Sequence, residues 1–209
     1  MSISSERKGR GQKDGRILKI LILTVILSFL TSWAVASSTP LETVEVGTNK
    51  VLQILKAESG NKQKRRADIR TVVNEYFDFD AMARRALGPH WNEESPAKQQ
   101  EFTELFSEFL FNVYIDKVEK YTNEKITYNM KEAEGNYAVV DALVTGAPSG
   151  NIAIRYSLRL KNGNWKAYDV AIEGIGLINN YRSQFDSILS RSSFDELLNQ
   201  LKQKNLQER

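Results

Sequence analysis

Two spacings divide this chain. From Pro40 to Val118 apolar residues recur every three or four positions, the period of a helix with a buried face. From Lys125 to Ile172 they recur every second position, the period of a half-buried strand, and from Ile178 the helical period returns. Thr39-Pro40 opens the first predicted helix, with Leu41, Val44, Thr48, Val51, Leu52 and Leu55 on one face, and Ser59-Gly60-Asn61 breaks it. Ile69, Val72, Val73 and Tyr76 mark a second helix, which opens on the basic run Lys62 to Arg66; such a run is a solvated face or a contact for a partner or headgroup. A third follows, with Phe79, Met82, Ala83, Ala86 and Leu87 as its stripe. Asp78 and Asp80 stand at its positive end and Arg84 and Arg85 near its negative end, before Gly88-Pro89 stops it.

Ser95-Pro96 starts the longest helix. Phe102, Leu105, Phe106, Phe109, Leu110 and Val113 form one face, while Phe111, Tyr114, Ile115 and Val118 make the other side apolar too. A helix apolar nearly all round is either central to a core or the wall of a cavity. The strand region predicts Lys125–Met130, a turn at Glu134-Gly135-Asn136, and Tyr137–Val144, which is apolar on both faces except for Asp141. Ile152, Ile154, Tyr156, Leu158 and Leu160 then alternate with Ala153, Arg155, Ser157 and Arg159. Asn162-Gly163 makes a tight hairpin into Trp165–Ile172, where Tyr168, Val170 and Ile172 share a face. Two helices close the chain. Ile178, Tyr181, Phe185, Ile188 and Leu189 set the first, and the box Ser193-Phe194-Asp195-Glu196 opens the second, beyond whose Leu201 the sequence reads as a frayed polar tail. Consecutive hairpins imply an antiparallel sheet of four or five strands, and the fold class is α+β, a mostly helical first two-thirds packed on that sheet.

Charge changes the picture at the N-terminus. The chain has 209 residues and a net charge of +3, but residues 1–36 carry six Lys/Arg against Glu6 and Asp14, and the remainder nets −1. That basic stretch precedes Ile20–Leu30, an apolar run of eleven residues, and then Ala34-Val35-Ala36. A positive start, a short apolar core and a small-x-small site predict a cleaved secretory signal over residues 1–36 and a single domain over 37–209. The run is short of the ~20 residues that span a bilayer. The near-neutral remainder offers no electrostatic reason to bind nucleic acid.

Candidate chemistry is sparse. With no Cys and one His, thiolate metal sites, cysteine nucleophiles, disulfides and multi-histidine centres are excluded. His90 lacks a Gly-x-Ser-x-Gly elbow anywhere in the chain. Gly174-Ile175-Gly176 has Asn179 at the third glycine position and follows hairpins, so it fails as a dinucleotide turn. Asp141 and Asp169 lie in apolar strands, either as buried bases with raised pKa or paired with Arg155 or Arg159, or facing water.

Three segments carry a resemblance. The run Tyr76–Trp91 (YFDFDAMARRALGPHW), the Phe/Leu-rich helix from Phe102, and Gly163–Phe185 (GNWKAYDVAIEGIGLINNYRSQF) together resemble the MlaC family of phospholipid carriers of the Mla lipid-asymmetry pathway, also called the toluene-tolerance auxiliary family. The most specific part is Trp165 to Val170, followed by Glu173-Gly174 and Asn180-Tyr181-Arg182. The family usually has Val-Ser where this chain has Ile175-Gly176, a change conservative in position. The resemblance implies a sheet and helices enclosing an apolar pocket, with no cofactor and no catalytic residue. It implies a soluble periplasmic shuttle for glycerophospholipid. Its partners would be an outer-membrane Mla lipoprotein–porin complex and an inner-membrane Mla ABC transporter, met through that transporter's membrane-anchored substrate-binding subunit.

By that analogy and the apolar pattern, the expected lipid-binding residues are Phe106, Phe109, Leu110 and Val113 on the long helix. On the sheet they are Val139, Ile152, Ile154, Tyr156, Tyr168, Val170 and Ile172. Ile175, Leu177 and Tyr181 are expected at the mouth or back wall, and Arg155 and Arg182 as headgroup contacts. Two other classes compete. One is an enzyme on a related helix-plus-curved-sheet scaffold, with Asp141 or Asp169 as base, and the other is an envelope interaction protein with a solid core.

Overall fold

A computed structural model describes residues 38–57, 60–121, 123–148 and 150–207. The segment read as a secretory signal lies outside them. Among the described residues six α-helices and five strands follow in the order α1 (Pro40–Lys56), α2 (Lys62–Tyr76), α3 (Phe79–Leu87), a 3-10 turn (Gly88–Glu93), α4 (Pro96–Glu119), β1 (Lys125–Glu134), β2 (Tyr137–Ala147), β3 (Gly150–Lys161), β4 (Asn164–Ile172), β5 (Ile175–Gly176), α5 (Leu177–Leu189) and α6 (Phe194–Gln207).

Local chemistry sets the helix starts. Thr39 and Glu42 form a reciprocal capping box, the Thr39 amide donating to the Glu42 carboxylate at 2.8 Å and the Glu42 amide to the Thr39 hydroxyl at 3.2 Å. Asn61 caps α2, Asp78 caps α3 and Ser95 caps α4. Gly88 ends α3 with φ +56°, a backbone conformation that favours glycine, and a Cβ there would stand 2.9 Å from the Arg182 guanidinium and push it aside. At the far end α6 runs past Leu201 to Gln207, where a frayed tail was expected. The buried Asn205 holds that last turn down, donating to the Leu105 carbonyl at 3.0 Å.

The sheet is wholly antiparallel in the order β1-β2-β3-β4-β5. Asn162 and Gly163, both at positive φ, make the tight β3–β4 turn. Register breaks between Met130 and Glu132, Val144 and Ala147, and Ser157 and Leu158 curve the sheet. Its inner face carries Ile126, Tyr128, Ala142, Val144, Ile152, Ile154, Tyr156 and Leu158. The opposite face carries the Asp141–Arg155 ion pair at 2.7 Å.

Two cores result. The larger joins α3, α4, α5 and α6 through Phe102, Phe106, Phe109, Tyr181 and Phe185, whose rings meet edge to face or stacked at 5.3 to 5.9 Å. The smaller joins α1 to the sheet through Val44, Val140 and Leu158. Helices α1 and α2 pack as a hairpin so close that a Cβ on Gly47 would lie 2.9 Å from the Tyr76 ring. The basic run at the start of α2 is spent on α4, because Arg65 and Arg66 hold Glu119 at 3.0 and 2.7 Å.

Candidate functional site

Between the α1–α2 hairpin, the second face of α4 and the inner face of the sheet lies a cavity of about 720 Å³. That volume falls in the upper part of the ~300–1,000 Å³ range of ligand pockets. Val51, Leu52 and Leu55 of α1 and Val72, Val73 and Tyr76 of α2 form one wall; Leu110, Phe111, Tyr114, Ile115 and Val118 of α4 form another. The third is the sheet, from Ile126 to Ile172. Every charged group in the lining, Lys117, Lys120 and Glu124, sits where α4 ends and β1 begins. The exposed members of the lining, Lys117, Lys120 and Pro148, gather at the same end, which is therefore the mouth. There the Tyr121 hydroxyl donates to the Glu124 carbonyl and ties the loop, and the Lys117 ammonium lies 5.0 Å from the Tyr114 ring centre.

Deeper in, the polar groups are hydroxyls. Burial pushes Tyr156 up to about 12 and raises Tyr128 and Tyr114, so all three are neutral donors at physiological pH. Neither candidate base faces this space. Asp141 pairs with Arg155, and that guanidinium holds its carboxyl below the usual range. Asp169 accepts from the Val170 and Ile178 amides at 2.8 and 3.2 Å, capping α5; burial raises its carboxyl, and these amides oppose the rise. Among the described residues no cluster of His, Cys, Asp and Glu is arranged to hold a metal ion.

The expected lipid-binding residues divide. Leu110, Ile152, Ile154, Tyr156, Val170, Ile172 and Leu177 line the cavity. Phe106, Phe109 and Tyr181 lie instead in the solid aromatic core, with Val113 packed against it. Phe106, Phe109 and Val113 occupy the face of α4 that meets α3, α5 and α6, and Tyr181 meets them from α5, while the cavity takes the other face of α4. Val139 alternates outward, because the buried set of β2 is Ala138, Val140, Ala142 and Val144. Tyr168 is the extra residue of the bulge opposite Ser157 and Leu158, so simple alternation fails there. It sits between the Tyr137 ring, edge to face at 6.1 Å, and the Arg85 guanidinium at 4.2 Å, away from the cavity. Ile175 is 64% exposed outside the lining. The expected headgroup contacts are also elsewhere, Arg155 on Asp141 and Arg182 over Gly88.

Sequence reasoning missed the α1 and α2 walls, whose stripes read as ordinary core faces. It also passed over Lys117 and Lys120. The signal for them was the second apolar side of α4, which ends in those lysines.

A family model described as MlaC protein matches residues 45–203, most of the chain and all three cavity walls. The chain belongs to the MlaC family. Among curated members, it is 26% identical over 182 residues to the toluene tolerance protein ttg2D of Pseudomonas putida, covering 83% of each chain. It is 21% identical over 193 residues to the intermembrane phospholipid transport system binding protein MlaC of Haemophilus influenzae, covering 87% of this chain and 90% of that one. Among solved structures, a phospholipid-binding protein from Ralstonia solanacearum, in complex with a phospholipid, superposes with a TM-score of 0.75 at 25% identity, covering 82% of this chain and 99% of that one. Within this MlaC-family chain, no described helix is long and apolar enough to cross a membrane.

Proposed function

We propose that this chain is an exported carrier of glycerophospholipids. In this reading residues 1–36 are a cleaved signal and 37–209 the working domain in the periplasm. The protein collects and delivers lipid at an inner-membrane Mla ABC transporter and an outer-membrane Mla lipoprotein–porin complex. The observation that carries the reading is an apolar cavity with all its lining charge at one end. That polarity matches an amphiphile inserted tails first. Two acyl chains hold about 30 methylenes, and at ~0.8 kcal/mol each their removal from water is worth on the order of 24 kcal/mol. A lipid therefore does not cross an aqueous compartment unaided, and burial of its tails is the chemistry a carrier must supply. No covalent step is needed.

The relatives support the reading, since one is a phospholipid transport system binding protein and another is a phospholipid-binding protein in complex with a phospholipid. Lys117 and Lys120 take over the headgroup role, as cations at the mouth within reach of a phosphate. Tail burial is blind to headgroup chemistry, so one phosphate contact common to all phospholipids gives weak headgroup discrimination. A transfer assay tests this: residues 37–209 should carry a labelled phospholipid from donor to acceptor vesicles across a membrane that only the protein can pass. Transfer no faster than buffer would overturn the reading.

A further inference from the structure

One buried polar atom in the cavity wall is left without a partner. The Tyr128 hydroxyl is shielded from solvent and accepts or donates no hydrogen bond. Burying a hydroxyl unpaired costs roughly 1–3 kcal/mol, so natural proteins seldom leave one so. The hydroxyls of Thr48 on α1 and Tyr156 on β3 lie beside it, and Glu45 and Tyr121 act on it through their charge. Tyr128, Thr48 and Tyr156 all belong to the cavity lining. On β1, Tyr128 is the next inward position after Ile126, and Tyr156 lies one inward step further along, opposite Val140 and Val170. The group therefore stands between the charged mouth and the apolar far wall.

We infer that Tyr128, with Tyr156 and Thr48 beside it, is a hydrogen-bonding subsite for an ester carbonyl of the bound lipid. This rests on the phospholipid reading above and adds a selectivity to it. In the apolar part of a diacyl glycerophospholipid the ester carbonyls are the only strong acceptors, and they carry no donor. A neutral phenol supplies the complementary donor, and burial keeps it neutral. A dialkyl ether lipid of the same chain length and headgroup buries the same methylenes but has no carbonyl, so it would leave the phenol unpaired. The cavity thus selects acyl esters over ethers while remaining indifferent to the headgroup.

The test is competition for residues 37–209 between dioleoyl phosphatidylglycerol and its di-O-oleyl ether analogue, read by native mass spectrometry. Wild type should favour the diester about fivefold, the ratio that ~1 kcal/mol of one hydrogen bond produces. Tyr128→Phe should lose that preference without losing affinity for the diether. The lipid-free variant should melt no lower than wild type, since the phenol it removes has no partner. Equal loading of both lipids by wild type, or a preference retained in Tyr128→Phe, would overturn the subsite while leaving the carrier intact. Binding of neither lipid would overturn both.

Discussion

Lys161 Nζ lies 2.9 Å from Oδ1 of Asp78, a carboxylate whose side chain is wholly buried at the start of α3. Arg159 holds Oδ2, and the Ala81 amide donates to Oδ1 at 3.3 Å. One residue thus caps α3 and pins it to the β3–β4 hairpin, whose strands wall the cavity. Burial alone would raise this carboxyl, but Lys161, Arg159 and the Ala81 amide outweigh it and hold it below its ordinary value of 3.8. Replacing Asp78 with Ala removes a cap and takes the carboxylate from Arg159, while Lys161 keeps Asp80 at 3.1 Å, so the loss should be about 2 kcal/mol by chemical denaturation.

Acid should expose the same device. A carboxylate with a depressed folded pKa contributes stability that is fully present above the unfolded value and lost as pH falls through the folded one. Asp78 and Glu119 both belong to this class; Arg66, then Arg65, lower Glu119 against the opposing effect of burial. Thermal midpoints should therefore hold steady down to about pH 4.5 and fall below it. In Asp78→Asn that acid-dependent loss should be smaller than in wild type. An identical slope in the two proteins would contradict the assignment.

The two faces of the sheet predict opposite outcomes for one substitution. Ile154→Glu places a carboxylate in the cavity wall, where it has no partner and lies in the path of an acyl chain. Val139→Glu places it on the outer face, half-buried. The first should abolish lipid loading at least tenfold, and the second should leave it within about twofold, both measured as lipid phosphorus per folded protein. Circular dichroism melts separate lost binding from lost folding.

At the mouth, Lys117→Glu with Lys120→Glu reverses two exposed charges. Exposed pairs are worth roughly 0.2–1 kcal/mol each, so loading should fall about twofold to thirtyfold, and the difference from wild type should shrink in high salt. Arg155→Ala and Arg182→Ala, whose side chains lie on Asp141 and over Gly88, should leave loading unchanged.

Periodicity made the elements legible because burial on one face repeats every 3.6 or 2 residues. Capping residues such as Ser95 and Ser193, and the Asn162-Gly163 turn, fixed several boundaries. It could not separate core from cavity, since both are walled by the same side chains. On α4, Phe106 and Phe109 face a filled aromatic core while Phe111 and Tyr114 face the cavity, and nothing in the spacing distinguishes them. Tyr168 was misplaced by a bulge that turns on one unpaired residue, and Val139 by a strand apolar on both faces. Arg155 and Arg182 drew attention as cations near specific motifs, yet the partners that occupy them, Asp141 on the neighbouring strand and the bare Gly88 backbone, are tertiary facts. The orphan hydroxyl of Tyr128 is of the same kind. A tyrosine in an alternating strand carries no sign of whether its oxygen finds a partner.

The central claim is that the cavity holds phospholipid by its tails. It is tested most directly by native mass spectrometry of residues 37–209, freshly purified from a host of known membrane composition, with the released lipids identified. The account predicts stoichiometric diacyl glycerophospholipid whose headgroups mirror the host membrane to within about tenfold, a difference of roughly 1.4 kcal/mol. Protein that emerges without lipid and stays empty on exposure to vesicles, or that carries one headgroup enriched beyond that limit, would contradict it.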